Sequence, residues 1–177
     1  AWPLLRERLG TEVWVKHENH TPIGAFKLRG GLVYLHELAR REPGWQFVLV
    51  GPRGNFDETT RRALAECDEL PNVHLLGPRP RQELPACMGS LDVALMCYRP
   101  GTWMDSAYPL KLHEYLASGP PVVSSDLPSV RAFAGVVAIA RNADEWHALI
   151  SSALRDGTPG TPAGRRSVAA ANTWEQR

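Results

Sequence analysis

The residue types and spacing that could do chemistry in this 177-residue sequence concentrate in two stretches, one around Glu114 and one around Lys27. In "PLKLHEYLASG", residues 109 to 119, Lys111 and Glu114 stand three apart, so a helix places both on one face. Pro109 suits the first turn of that helix and Gly119 the left-handed position just past its end, which makes the helix short. Its N-terminus would offer amides and the positive end of the helix dipole to a diphosphate, with Lys111 adding charge. Glu114 could accept two hydrogen bonds, which suits the vicinal hydroxyls of a ribose. The same spacing also describes a solvated ion pair on an exposed helix. In "GAFKLRGG", Lys27 could form a Schiff base only if held neutral in a dry pocket, with a nest of amides for a cofactor phosphate. A surface cation beside a flexible turn fits the same letters.

Metal chemistry has weaker support. The six histidines, at 17, 20, 36, 74, 113 and 147, form no H-x-x-x-H pair and have no cysteine at ligand spacing. His17 and His20 are three apart in an expected loop, His113 lies beside Glu114, and His74 falls in a strand candidate with a structural role expected. Cys67, Cys87 and Cys97 are scattered, with no C-x-x-C pair, so neither a disulfide framework nor a zinc site is indicated and a reducing cytoplasm fits best. A formal charge of +1 gives no electrostatic case for nucleic acid or a membrane surface. No run approaches the roughly 18 apolar residues of a membrane span.

The elements that must position these residues follow from apolar periodicity. From Trp45 onward "QFVLV", "NVHLL", "DVALM", "PVVSS" and "VVAIA" read as strands. They alternate with the helix candidates "DETTRRALAEC", "RQELPACM", whose proline should shorten or kink it, "PLKLHEYLAS", a short "LPSVRAF" and "ADEWHALISSALRD". The pattern predicts an α/β fold, a doubly wound parallel sheet of five or so strands. Ligands would then sit at the loops opening at Gly51, Gly77, Met96 and Ser124, outside the carboxyl ends of the strands. Leu110, Leu112, Leu116 and Ala117 are expected to cover the core face of the helix that bears Glu114. Residues 1–44 break the rhythm: an atypical strand, "TEVWVKHE", then a helix in "FKLRGGLVYLHELARREPGW" ending at Pro43 and Gly44. "DGTPGTPAG", residues 156 to 164, reads as a loop or linker, and "RRSVAAANTWEQR" as a terminal helix docking through Trp174.

The stretches "WQFVLVGP", "LPNVHLLGPRPRQELPACMGSLDVALMCYRP" and "PLKLHEYLASGPPVVSSDLPSVR" resemble the C-terminal, donor-binding half of retaining glycosyltransferases built from two Rossmann-like domains, over about residues 45–177. The resemblance implies binding of a nucleoside-diphosphate sugar, with Glu114 on the ribose, Lys111 and Leu110 at the donor, and Arg79 and Pro80 against the nucleobase. Where this family often carries a second glutamate for the donor sugar, this chain has Ser106, with Asp105 beside it. The resemblance further implies no bound metal and a separate acceptor-binding domain.

"VWVKHENHTPIGAFKLRGGLVYL", residues 13 to 35, is similar to the N-terminal segment of threonine dehydratase and related pyridoxal-phosphate enzymes. That similarity places the cofactor lysine at Lys27, with Ala25 where serine is common, and an asparagine at Asn55 followed by Phe56 rather than histidine. The run of glycines that holds the cofactor phosphate in that family has no counterpart here. The chain thus reads as a fusion of two partial families meeting within residues 32–45. Three readings follow: a glycosyltransferase donor-binding domain, a pyridoxal-phosphate dehydratase acting through Lys27, and a folded chain without catalysis.

Overall fold

The computed structural model describes residues 13–17, 34–52, 58–98 and 108–176. Six strands form one parallel sheet: β1 (Val13–His17), β2 (Gln46–Val50), β3 (Val73–Gly77), β4 (Val93–Met96), β5 (Val122–Ser125) and β6 (Val137–Ala140). Their order is β3-β2-β1-β4-β5-β6. The helices in chain order are α1 (residues 34–41), α2 (Glu58–Asp68), α3 (Leu84–Gly89), α4 (Lys111–Ser118), α5 (Pro128–Arg131), α6 (Ala143–Asp156) and α7 (Pro162–Ala170).

The expected doubly wound sheet forms, because short apolar strands stay parallel only when crossovers bury both of their faces. Side chains alternate accordingly. Phe47, Val93, Leu95 and Val123 cluster with Leu35 and Leu38 of α1, Cys67 of α2 and Trp146 and Ile150 of α6. Val48, Val50, Ala94, Met96 and Val122 cluster with Leu84 and Met88 of α3, Leu112, Tyr115 and Leu116 of α4, Val130 of α5 and Ala169 of α7.

The five or so strands expected are six, because "TEVWVKHE", expected as an atypical N-terminal strand, joins the same sheet between β2 and β4. β1 pairs with β2 from Val13↔Gln46 to His17↔Val50, and with β4 at Trp14↔Val93 and Val15↔Ala94. A strand pattern is local, whereas its partners are set by the whole sheet, which a single sequence does not display.

The turn between α1 and β2 is stapled from a distance. Asn72, only 4% exposed, donates from Nδ2 to the carbonyls of Ala39 at 3.0 Å, Glu42 at 3.2 Å and Trp45 at 3.0 Å. Asn72→Ala is expected to cost about 2 kcal/mol, since buried carbonyls lose their donor. Urea unfolding measures this; a loss under about 0.5 kcal/mol would mean that water replaces the amide.

The proline in "RQELPACM" shortens its helix as expected: Arg81–Glu83 forms a 3-10 turn, and Pro85 then lies in the first turn of α3, where its missing N–H costs nothing. In "DGTPGTPAG" residues 157–161 form the loop expected, while residues 162–164 already belong to α7. Thr161 caps α7 by accepting from Gly164 N at 3.1 Å, and Pro162 begins the helix.

Arg165, 1% exposed, gathers that loop around itself. Its Nε donates to Gly119 O at 2.9 Å, and one terminal nitrogen reaches the carbonyls of Gly157 (3.1 Å), Pro159 (2.6 Å) and Gly160 (3.2 Å). Burial, then the nearby charge of Arg166, pushes its pKa down, and the carbonyls offset the cost by solvating the cation. α7 is thereby fixed to the C-terminal end of α4. The Trp174 side chain, expected to anchor the terminal helix, lies outside the described residues.

Candidate functional site

A doubly wound sheet binds ligands outside the carboxyl ends of its strands, where the strand order reverses. Here the chain runs outward from β1 in one direction and from β4 in the other, so the crevice opens between those two strands. Gly51 N donates to Gly77 O at 3.0 Å just past β2. Gly77 ends β3 at φ 68°, a conformation that glycine adopts without strain, and turns the chain towards Pro78, Arg79 and Pro80. Arg79 is half-buried and Pro80 exposed. Beyond β4, Tyr98 N donates to Ser125 Oγ at 2.9 Å, which joins the carboxyl ends of β4 and β5.

α4 follows β4, so its N-terminus lies at the crevice end of the sheet. Its buried stripe is Leu112, Tyr115 and Leu116. This corrects the expected core face: Leu110 is 53% exposed and Ala117 also faces solvent, because the i, i+3, i+4 stripe set by residues 112, 115 and 116 turns 110, 114 and 117 outward. Gly119 closes the helix at φ 98° with its N–H on Tyr115 O at 3.0 Å, as the sequence predicts.

Glu114 therefore projects from the outward face one turn from Lys111, which is half-buried. Among the described residues the Glu114 carboxylate has no hydrogen-bond or ion-pair partner, and no salt bridge joins it to Lys111. On the other side of Glu114 lies His113. Its ring stacks on Tyr108 at 5.6 Å and 12°, shares a 2.6 Å hydrogen bond between Nε2 and the Tyr108 hydroxyl, and meets Phe133 edge-on at 5.5 Å.

Asp126, just past β5, is committed elsewhere. It accepts from Arg131 at 2.7 and 3.2 Å and lies 3.7 Å from Arg141. The Arg131 hydrogen bonds, followed by the charges of both arginines, hold its carboxyl below the usual range. The Asp126 cluster and the Tyr108–His113 stack were missed by sequence reading. Their only sequence signal is a five-residue separation, which carries no helical or strand periodicity.

His74 has the structural role expected of it: Nε2 lies 2.6 Å from Gln46 Oε1, and burial lowers its pKa. Cys67, Cys87 and Cys97 are buried free thiols. Among the described residues no group of three His, Cys, Asp or Glu side chains could hold a metal, and no helix is long and apolar enough to cross a membrane. Lys27, Asn55, Asp105 and Ser106 lie outside the described residues.

A parallel, doubly wound, Rossmann-like domain with its candidate site at the strand-order switch is the class that this fold and site define. The family model described as glycosyl transferases group 1 matches residues 31–156, and the chain belongs to that family. TuaH of Bacillus subtilis (strain 168), named for a glycosyltransferase role in teichuronic acid biosynthesis, is 36% identical over 107 residues, which are 60% of this chain and 26% of that protein. The structure of Anabaena HepE in complex with UDP-glucose superposes with a TM-score of 0.71 at 18% identity, covering 94% of this chain and 46% of HepE. That of WaaG, a glycosyltransferase involved in lipopolysaccharide biosynthesis, gives 0.65 at 17% identity, covering 97% of this chain and 47% of WaaG. The chain thus spans about a quarter of TuaH and under half of the other two.

Proposed function

We propose that this chain is the donor-binding half of a retaining glycosyltransferase and takes a nucleoside-diphosphate sugar in the crevice between β1 and β4. Glu114 carries the assignment: a carboxylate without a protein partner among the described residues, exposed at the crevice end of α4 and one turn from a lysine. It accepts the ribose hydroxyls, which supply the hydrogen bonds that the protein does not. Lys111 and the amides near Leu110 hold the diphosphate at the start of α4 and stabilise it as a leaving group without a resident metal. The Arg79–Pro80 segment borders the nucleobase, and Asp105 with Ser106 meets the donor sugar. A separate acceptor-binding domain completes the enzyme, which works in the cytoplasm. Membership of the family and a fold shared with a protein solved with UDP-glucose support this assignment. The reading of Lys27 as a pyridoxal-phosphate lysine draws no support from the family or from these relatives.

Uridine diphosphate is the first probe. At about 100 times its Kd it should stabilise the native chain by roughly 2.7 kcal/mol and raise the melting temperature by several degrees. Glu114→Ala should weaken that binding at least about tenfold while changing the unliganded melting temperature little, as expected for an exposed residue. No shift with any nucleoside diphosphate, or an undiminished shift in Glu114→Ala, would sink the assignment.

A further inference from the structure

Tyr108 is one of two large apolar side chains that are exposed among the described residues, at 41%, and it stands at the entrance to α4 rather than on a remote surface. An exposed tyrosine ring normally samples several rotamers. This one is held at three points: parallel stacking on His113, the 2.6 Å bond from its hydroxyl to His113 Nε2, and the His113 ring itself braced edge-on by Phe133 from the turn after α5. Fixing an aromatic ring costs side-chain entropy, and here the fixed ring remains open to solvent. On the helical wheel His113 and Lys111 flank Glu114 on opposite sides. The crevice end of α4 thus presents a cation, a carboxylate and an immobilised aromatic in sequence.

We propose that Tyr108 is a specificity-determining residue of the donor site and His113 its positioning residue. Tyr108 packs against the carbon-bound hydrogens of the ribose whose hydroxyls Glu114 accepts, so it selects for a nucleoside over a bare diphosphate. This inference rests on the donor-binding assignment above and adds to it the group that discriminates the nucleoside. Aromatic packing of this kind is directional, and it is effective only if the ring is already oriented before the ligand arrives. The Tyr108 hydroxyl is engaged by the imidazole, so the ring face, not the oxygen, meets the ligand.

Calorimetric titration with uridine diphosphate and with inorganic pyrophosphate tests this on the full chain. Tyr108→Ala should raise the Kd for uridine diphosphate about tenfold and leave pyrophosphate binding within about twofold. His113→Leu, which keeps bulk against Phe133 but frees the tyrosine, should reproduce most of that loss. His113→Gln, which can still reach the hydroxyl, should recover part of it. Circular dichroism melts of each variant identify any that fails to fold. If wild type binds uridine diphosphate and Tyr108→Ala binds it equally well, the Tyr108 assignment is wrong while the donor-binding one stands. Equal losses for both ligands would also overturn it, since they would place Tyr108 in general support of α4. If wild type binds no nucleoside diphosphate, both assignments fall together.

Discussion

Arg165→Met should lower the stability of the chain by about 3–5 kcal/mol and its melting temperature by roughly 10 °C. Among the described residues the side chain heads those buried to under 2% exposure in size, and its donors are spread over four carbonyls from two separate segments. Methionine matches much of the volume but donates nothing, so those carbonyls are left facing an apolar side chain. Arg165→Lys should recover little, because an ammonium on a flexible stem cannot span Gly119 O on one side and Gly157, Pro159 and Gly160 on the other. Thermal or urea unfolding reads the effect. A loss below about 1 kcal/mol would mean that water enters and solvates the turn. The consequence extends to the donor site, since Gly119 ends the helix that presents Glu114.

Tyr115→Ala should cost a comparable 3–5 kcal/mol by the cavity it leaves. Tyr115 is fully buried between Leu112 and Leu116 on α4 and belongs to the core cluster that joins β4, β5 and α3. Leu110→Ala, five residues earlier, should change stability by no more than about 0.5 kcal/mol, because that leucine is mostly in solvent. The contrast tests the corrected orientation of α4. If the core lay where sequence reading placed it, Leu110 would be the costly position. Chemical denaturation of both variants under one set of conditions distinguishes the two.

What was legible in the sequence was whatever depends on near neighbours. The alternation of short apolar runs with amphipathic segments specified the parallel sheet, and "ADEWHALISSALRD" marked α6 residue for residue. Pro109 and Gly119 bracketed α4, and with it the position of Glu114. What was not legible depends on distant partners. Whether Leu110 or Tyr115 faces the core is settled by which neighbouring residues pack on α4, and a leucine-rich pattern alone assigned the wrong one. Arg165 carries no motif, since all its partners are main-chain carbonyls that any residue could offer. The Tyr108–His113 pair required knowing that the chain enters α4 at an angle that brings the two rings parallel.

The central place of β1 bears on how this chain can be divided. The sequence reading expects a change of family within residues 32–45, which invites a cut at Trp45, whereas the glycosyl transferases group 1 model already matches from residue 31. Such a cut would not release an independent domain. It would leave β2 and β4 each with a row of inward-facing N–H and C=O groups, since β1 hydrogen-bonds to both. A shortened chain would carry two exposed strand edges in the middle of its sheet, the arrangement most prone to pair with another copy of itself and aggregate.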